Sequence, residues 1–522
     1  MDSSNVACFQ VHDHRKQGTG AKDVSPYPKN RALGELFPLE RFEGENQRPS
    51  DFIDSSHGFT SKSEVSINSL PAEALMLIFE QVRSLQPCVT SDERTPTLCS
   101  WRDISKSPIT LSHVCTDWRR LALGLPNLWT HIDLGPLHFR CPTQRARLDA
   151  FMTRSGQALI DIHMIEPPRN VIFVFDSEDA DELLKFFALV APRTWSINLV
   201  ATRSLFWSKF FRSALGFCIE NCQPGILTQM TIQVAEGRRP DFTDSSPQAL
   251  FGQTRERVEA LCLPITDLRL SSFHFPWGSG AYHELAVLHL SGSGVIPELQ
   301  LVAILKSSPR LQVFKFRIKI ENPHVGSDPI EPVRLEDLEV LVISSDEEWY
   351  LGCILRWITP GTKPLSLSIV NPFLRGSNFP SKSVVASFFA RSNVTHLHAT
   401  SFDGYLELME VLRLSSTIRV LAVDSFHCNQ LQNKDGSSSD LIIDALYVIR
   451  SSQFGHGIFN WHTIEAFIKK HQVQSLILWK YDFRYCGIGT GAETTIPDNL
   501  STICPHVRVL ANEDPNPVGE CC

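Results

Sequence analysis

The chain lacks several things, and each lack closes off a class of function. No apolar run approaches the ~20 residues that a membrane-spanning helix needs. The start, Met1-Asp2-Ser3-Ser4-Asn5, has no basic stretch leading into an apolar one, so no secretory signal is expected. Excess basic charge is missing too. The 522 residues carry a formal net charge of −8, which gives no general attraction to nucleic acid or to anionic membrane surfaces. The expected setting is therefore intracellular, cytoplasmic or nuclear. Apart from the terminal Cys521-Cys522, the 14 cysteines are scattered singly, and in a reducing compartment they are expected to stay thiols, most of them small core residues.

Catalytic signatures are also missing. There is no Gly-x-Ser-x-Gly elbow and no His-Glu-x-x-His helix. The glycine-rich Tyr485–Gly491 matches neither a dinucleotide fingerprint nor a phosphate loop, and it reads as a surface loop. Cys218 with Cys222, or His396 with His398, could begin a metal site. A structural zinc needs four ligands, and no second pair stands out. The acidic run Asp176, Glu178, Asp179, Asp181 and Glu182 lacks the glycine turn of a calcium loop, and it reads as a helix start with Ser177 as N-cap. Arg119-Arg120 and Arg238-Arg239 are too short for a nucleic-acid patch, and Cys521-Cys522 reads as the end of a frayed tail. No catalytic residue, metal or cofactor is expected.

What is present begins with two short amphipathic stretches. Asn68 or Ser69 can cap a helix that Pro71 enters at a tolerated position and whose positive end Glu73 faces. Leu75, Ile78, Phe79 and Val82 form one apolar face. A second stretch sets Leu111, Val114, Cys115, Trp118, Leu121 and Ala122 at the same spacing, with Thr116 placed to split it into two helices. About thirty residues lie between them, and Gln86-Pro87, Thr95-Pro96 and Ser107-Pro108 mark these as a loop. Helices so short cannot enclose a core alone and need a partner surface.

Leu70, Pro71 and Glu73, the pair Ile78-Phe79, and Val114-Cys115-x-x-Trp118-Arg119 together resemble an F-box. The continuation Leu121-Ala122 through Leu125-Pro126-x-Leu128-Trp129 is similar to the F-box-like variety common in mushroom-forming fungi. The resemblance covers about residues 66–135, and the insert after Phe79 is longer than a compact F-box allows. It implies docking on a Skp-family adaptor within a cullin-RING ubiquitin ligase. Leu70, Pro71, Leu75, Ile78, Phe79, Leu111, Val114, Cys115, Trp118 and Leu121 would form the docking segment.

Beyond it, short apolar runs recur. The expected strands are Trp129–Leu134, Leu159–Met164, Thr194–Val200, Thr228–Val234, Asp267–Leu270, Ala286–Leu290 and Gln312–Phe316. Glu339–Ile343, Leu365–Ile369, Thr395–Ala399, Val420–Val423, Gln474–Leu478 and Arg508–Leu510 follow. Leu285-x-x-Leu288-x-Leu290, Leu311-x-x-Phe314-x-Phe316 and Leu338-x-x-Leu341-x-Ile343 repeat one unit at intervals of about 26 residues. Helical patterns fall between, as at Leu299–Lys306 and Ser383–Arg391. This is a degenerate leucine-rich-repeat pattern. In place of the usual asparagine, Ser291, Arg317 and Ser344 follow the strand ends, which leaves a plain α/β domain as the other reading.

The expected architecture is α/β. A polar tail (1–62) precedes the small helical F-box-like segment (66–135). An irregular leucine-rich-repeat-like solenoid with a parallel curved sheet follows (136–512), then a short tail (513–522), with Gln430–Ser439 as an inserted loop. The implied function is a substrate adaptor that binds a protein substrate through its repeats and catalyses nothing itself. The alternatives are a repeat scaffold that recruits no ligase, and an α/β enzyme with a polar-lined pocket.

Overall fold

A computed structural model describes residues 67, 70–85, 107–135, 139, 141–164, 176–201, 207–234, 254–321, 331–344, 348–370, 382–400, 412–424, 442–449, 461–479 and 500–510. The chain divides into two units, Met1–Ser66 and Ile67–Cys522, and the first lies outside the described residues. So do the expected N-terminal and C-terminal tails, the loops Gln430–Ser439 and Tyr485–Gly491, the helix cap at Asn68 or Ser69, and most of the insert after Phe79.

The second unit is a mixed α/β structure built on one large parallel sheet. It opens with three helices, α1 (Ala72–Leu85), α2 (Ser107–Ser112) and α3 (Thr116–Gly124), and a 3-10 turn at Pro126–Trp129. The strands are β1 (His131–Leu134), β2 (Ile160–Met164), β3 (Thr194–Ala201), β4 (Gln229–Val234), β5 (Asp267–Ser271), β6 (Val287–Pro297) and β7 (Val313–Glu321), then β8 (Val333–Leu335), β9 (Val340–Ser344) and β10 (Ile358–Pro360). The last are β11 (Leu365–Val370), β12 (Val394–Thr400), β13 (Val420–Asp424), β14 (Ala445–Ile449), β15 (Ser475–Trp479) and β16 (His506–Leu510). Strands β8 and β10 pair with each other in a two-stranded sheet, and the remaining 14 form the main sheet. Their order across it is their order along the chain.

Helices fill many of the connections: α4 (Pro142–Ser155), α5 (Ser177–Val190), α6 (Trp207–Asn221), α7 (Arg255–Cys262), α8 (Glu298–Lys306), α9 (Glu348–Trp357), α10 (Lys382–Ala390), α11 (Trp461–His471) and α12 (Leu500–Ile503). Parallel neighbours require such crossovers, since a tight hairpin cannot return a strand to the same end.

Register explains why this order buries so much. Ile132, Ile162, Ile197, Met230, Leu268, Leu288, Phe314, Leu341, Leu367, Leu397, Leu421, Leu446, Leu476 and Val507 are partners across successive strands. A second apolar line, two residues on, runs from Leu134 and Met164 through Leu290 and Phe316 to Leu478 and Val509. Side chains two apart share a face, so both lines point into one core, except at the last strand, where Val509 is 39% exposed. The repeated unit adds a third position. Leu285, Leu311 and Leu338 are completely buried beside their strands. One hydrophobic cluster runs from Leu75 in α1 to Cys504, so the helical segment and the sheet share a continuous core.

The structure differs from the expectations at several points. Ser107-Pro108 opens helix α2 and is not loop, which fits a proline in a first helical turn. The N-cap of α5 is Asp176, not Ser177. Its carboxylate accepts from the Asp179 amide, and the Asp179 side chain accepts from the Asp176 amide, so the acidic run closes a reciprocal cap. Strands β6 and β7 continue past Leu290 and Phe316, where the pattern had ended them. After an irregularity beyond Ser291 they pair again at Val295–Lys319, Ile296–Ile320 and Pro297–Glu321. Strand β14 was missed, although Ile443-x-x-Leu446-x-Val448 fits the repeated unit, and so were the short β8 and β10.

Candidate functional site

Two surfaces carry the polar and apolar groups that the core does not use. The first is the helical segment. In α1, Leu75 and Phe79 are buried and Ile78 is half-buried. The Phe79 ring meets Trp118 of α3 at 4.9 Å between centroids with the planes tilted by 58°. Leu111 is buried beside them. Glu73 lies in the first turn of α1 and Arg83 in the last, where each charge suits the helix dipole. Arg83 also ties α1 to the 3-10 turn, donating to the Asn127 carbonyl at 3.2 Å and to Thr130 Oγ1 at 3.1 Å. Trp129 donates to the Ala122 carbonyl at 2.8 Å and packs edge-on against Phe151 of α4, so the turn is fixed to both neighbours.

The ten residues singled out for docking therefore divide. Leu75, Phe79, Leu111 and Trp118 are core residues that hold the helices together. Leu70, Ile78, Cys115 and Leu121 are half-buried, and Pro71 is exposed. The spacing puts Val114 on the packing face with Trp118, but it is 56% exposed. The helix breaks between Ser112 and Thr116, so the spacing from Val114 to Trp118 is not helical and no longer puts them on one side. Cys115 occupies the N-cap position of α3 and Thr116 is its first helical residue. The sequence pattern missed Leu77 and Leu123, which are exposed, Leu77 by 67%. At 3.6 residues per turn Leu77 lies ~160° around α1 from both Leu75 and Phe79, on the side away from the core.

The second surface is the other face of the sheet. Alternate residues of β1 to β7 place Ser196 and Asn198, Gln229 and Thr231, Asp267 and Arg269, His289, Lys315 and Arg317 side by side across successive strands. Toward the C-terminal strands the same face turns apolar, and Ala422, Ile449, Ile477, Trp479 and Leu510 form a small cluster of their own.

At the β1 edge this face carries a compact polar cluster. His131 is the register partner of Asp161, and Asp133 that of His163, so two imidazoles and two carboxylates alternate in a square. Asp161 Oδ2 lies 2.9 Å from His131 Nδ1 and 3.0 Å from His163 Nε2. His131 Nε2 lies 3.2 Å from Asp133 Oδ1. The two rings stand 4.2 Å apart at 61°. Burial raises the Asp161 pKa, but the hydrogen bonds and charges of His131 and His163 outweigh it and hold the carboxyl far below the usual range. For Asp133 the same opposition, with His131 as the chief partner and Arg147 of α4 adding to it, also ends below the ordinary value. The sequence carries a signal for this cluster, His131-x-Asp133 and Asp161-x-His163 on two adjacent expected strands. It becomes legible only once the register is known.

The pairs weighed from sequence as metal ligands fare differently. Cys218 of α6 and Cys222, just past its end, are both buried with their sulfurs 3.5 Å apart. Their contact and their burial push the Cys218 thiol well above its ordinary value, which disfavours the thiolate that a metal needs. His396 and His398 share a face of β12, as expected. His398 is buried on the other face of the sheet, with Nδ1 2.9 Å from Ser368 Oγ. Arg119-Arg120 is exposed on α3, while Arg238-Arg239 and Cys521-Cys522 lie outside the described residues.

Comparison with protein-family models gives no match for this chain, and comparison with curated proteins gives none either.

Proposed function

We propose that the chain is a substrate adaptor: α1 to α3 dock on a Skp-family adaptor of a cullin-RING ubiquitin ligase, and the sheet presents a protein substrate. The reading rests on the F-box resemblance of residues 66–135. It is supported by the way the segment distributes its apolar side chains. Phe79 and Trp118 go into the shared core, while Leu77, Val114 and Leu123 stay in solvent and Leu70, Ile78 and Leu121 are half-buried. Isolated exposed apolar residues are ordinary on any protein, but several within one short segment already fixed to a core suit a docking surface.

The sheet supports the second half of the reading. Its sequential parallel order and its repeated apolar unit fit a leucine-rich-repeat-like solenoid, whose successive units offer one long row of side chains to a partner. The order of strands never reverses among the described residues, so the crevice at a switch point, where open α/β sheets hold small ligands, has no counterpart there. The chemistry would belong to the ligase's RING subunit and its conjugating enzyme, and this chain would need no catalytic residue.

The test is co-purification of the full chain with the Skp-family adaptor. Leu77→Asp places a charge on the exposed side of α1, where no core contact is lost. The variant is expected to keep the wild-type melting temperature and to lose adaptor capture by at least tenfold. Equal capture by the variant would remove the docking role of α1, and absence of capture by the wild-type chain would leave the repeat-scaffold alternative in its place.

A further inference from the structure

We propose that His131, Asp161 and His163 form a binding site for one divalent transition ion, Zn2+ being the best fit, with Asp133 as the outer partner of His131. The inference is independent of the adaptor reading and rests on geometry at the β1–β2 edge of the sheet.

Three donor atoms from three side chains converge. One ligand atom from each of His131, Asp161 and His163 can be chosen so that all lie within 4.8 Å of one another, which no other grouping of His, Cys, Asp and Glu among the described residues achieves. Asp161 Oδ2 stands 2.9 Å and 3.0 Å from the two imidazole nitrogens. Donors of a tetrahedral zinc at 2.0–2.1 Å from the metal lie ~3.3 Å from each other, so small outward rotations of these side chains would admit the ion. Two imidazoles and one carboxylate leave a fourth position for water or for a ligand, which is the donor set of open zinc sites. Neutral imidazole also favours Zn2+ over Mg2+ and Ca2+, which take oxygen donors.

Two further observations point the same way. Metal-bound histidines commonly hand their other ring nitrogen to a carboxylate, which fixes the tautomer. His131 does this here, with Nδ1 toward Asp161 and Nε2 3.2 Å from Asp133, whose side chain is only 2% exposed. And Asp161 Oδ1 is shut off from solvent without a hydrogen-bond partner, an unusual state for a buried carboxylate oxygen. The donors come from β1, the edge strand of the main sheet among the described residues, and from its neighbour β2, so the ion would tie the two strands together.

The test is titration of the metal-free full chain with Zn2+ by calorimetry and with Co2+ by visible absorption. One equivalent is expected to bind, and Co2+ should give the intense visible bands of a four- or five-coordinate site. His163→Asn and Asp161→Asn should each weaken binding by at least about 100-fold, and Asp133→Asn by about 10-fold, the range for an outer partner. His289→Asn, on the same face of the sheet at β6, should bind as the wild type does. X-ray absorption of the Zn2+-loaded wild type is independent of any variant's folding, and it should show two imidazoles and oxygen with no sulfur. Binding that survives the His131→Asn/His163→Asn double variant, a sulfur-containing shell, or no stoichiometric binding at all would each overturn the proposal.

Discussion

Trp118, expected in the docking segment, is buried in the structure. Its burial against Phe79 follows from the apolar spacing of α3, whereas its indole Nε1 is buried without a partner, which no spacing reveals. Two effects then oppose each other on substitution. Trp118→Ala removes a buried ring and should cost ~3–5 kcal/mol through lost transfer energy and the cavity left. Trp118→Phe keeps most of the ring and removes an unpaired donor whose burial costs ~1–3 kcal/mol. Urea melts should therefore place Trp118→Phe within ~1 kcal/mol of the wild type and Trp118→Ala far below it. Equal losses would mean that the indole donor has a partner after all.

His274 gives a pH dependence of definite sign. Burial lowers its pKa from 6.5 to about 4, against a smaller opposing contribution from its backbone hydrogen bond at Ser291. Between those values the unfolded chain takes up a proton that the folded chain does not. Folding stability due to this group is full above about pH 6.5 and is lost as pH falls toward 4, by up to ~3 kcal/mol. His274→Leu should flatten that part of the stability profile relative to the wild type, measured as melting temperature from pH 7 to pH 4. A variant profile parallel to the wild type would show that His274 is not the titrating group. The carboxyls of Asp133 and Asp161, both depressed, act in a separate window below the ordinary carboxylate range.

At the scale of elements, most strands were legible because apolar residues stand on every second position with turn residues between, whereas β8, β10 and β14 were not. The helical segment was legible in its residues and in having a break near Thr116, but not in what the break does to Val114. Val114 and Trp118 share a helical spacing on paper, and only the turn after Ser112 sends them to different environments. The lengthened β6 had no apolar signature because it depends on a close approach. Gly292, at φ 96°, lies where an added Cβ would come within 2.3 Å of Ser272 Oγ and 2.5 Å of its backbone nitrogen. Gly292→Ala should therefore cost more than the ~1 kcal/mol common for a point mutation, with the strain and the clash both contributing. Hydrogen exchange should report the damage at 292–297 and 319–321 while 287–290 stays protected. Loss across all of β6 would mean that the extension and the repeat strand form one cooperative unit.

Buried charge at element ends was illegible for a different reason. Glu298 opens α8, is 1% exposed, and accepts from Arg356 at 2.8 and 2.9 Å and from the Trp357 indole at 3.0 Å. Its partners lie 58 and 59 residues away, a separation that local patterns do not report. Arg356→Ala leaves this carboxylate buried with its main partner gone, and should cost ~3–5 kcal/mol in a denaturant melt. A loss below ~1 kcal/mol would mean that solvent reaches Glu298 in the folded chain.

At the scale of the whole molecule, the sheet order is its sequence order because each strand's apolar lines are completed by the next unit along the chain. Contacts are mostly between neighbours, so damage should stay near its source. The helical segment is one end of this arrangement, joined to it through Leu128, Trp129 and Ile132. The His131–Asp161 cluster is a product of the same order, since it exists only because β1 and β2 are adjacent in register.

The adaptor reading makes its sharpest demand on where the chain changes when its partner is added. Hydrogen exchange on the full chain, with and without purified Skp-family adaptor, measures this directly. Slowed exchange confined to 70–82 and 111–124, with β1 to β16 unchanged, is the predicted result. Unchanged exchange in α1 to α3 at saturating adaptor, or protection that appears only on the strands, would contradict it.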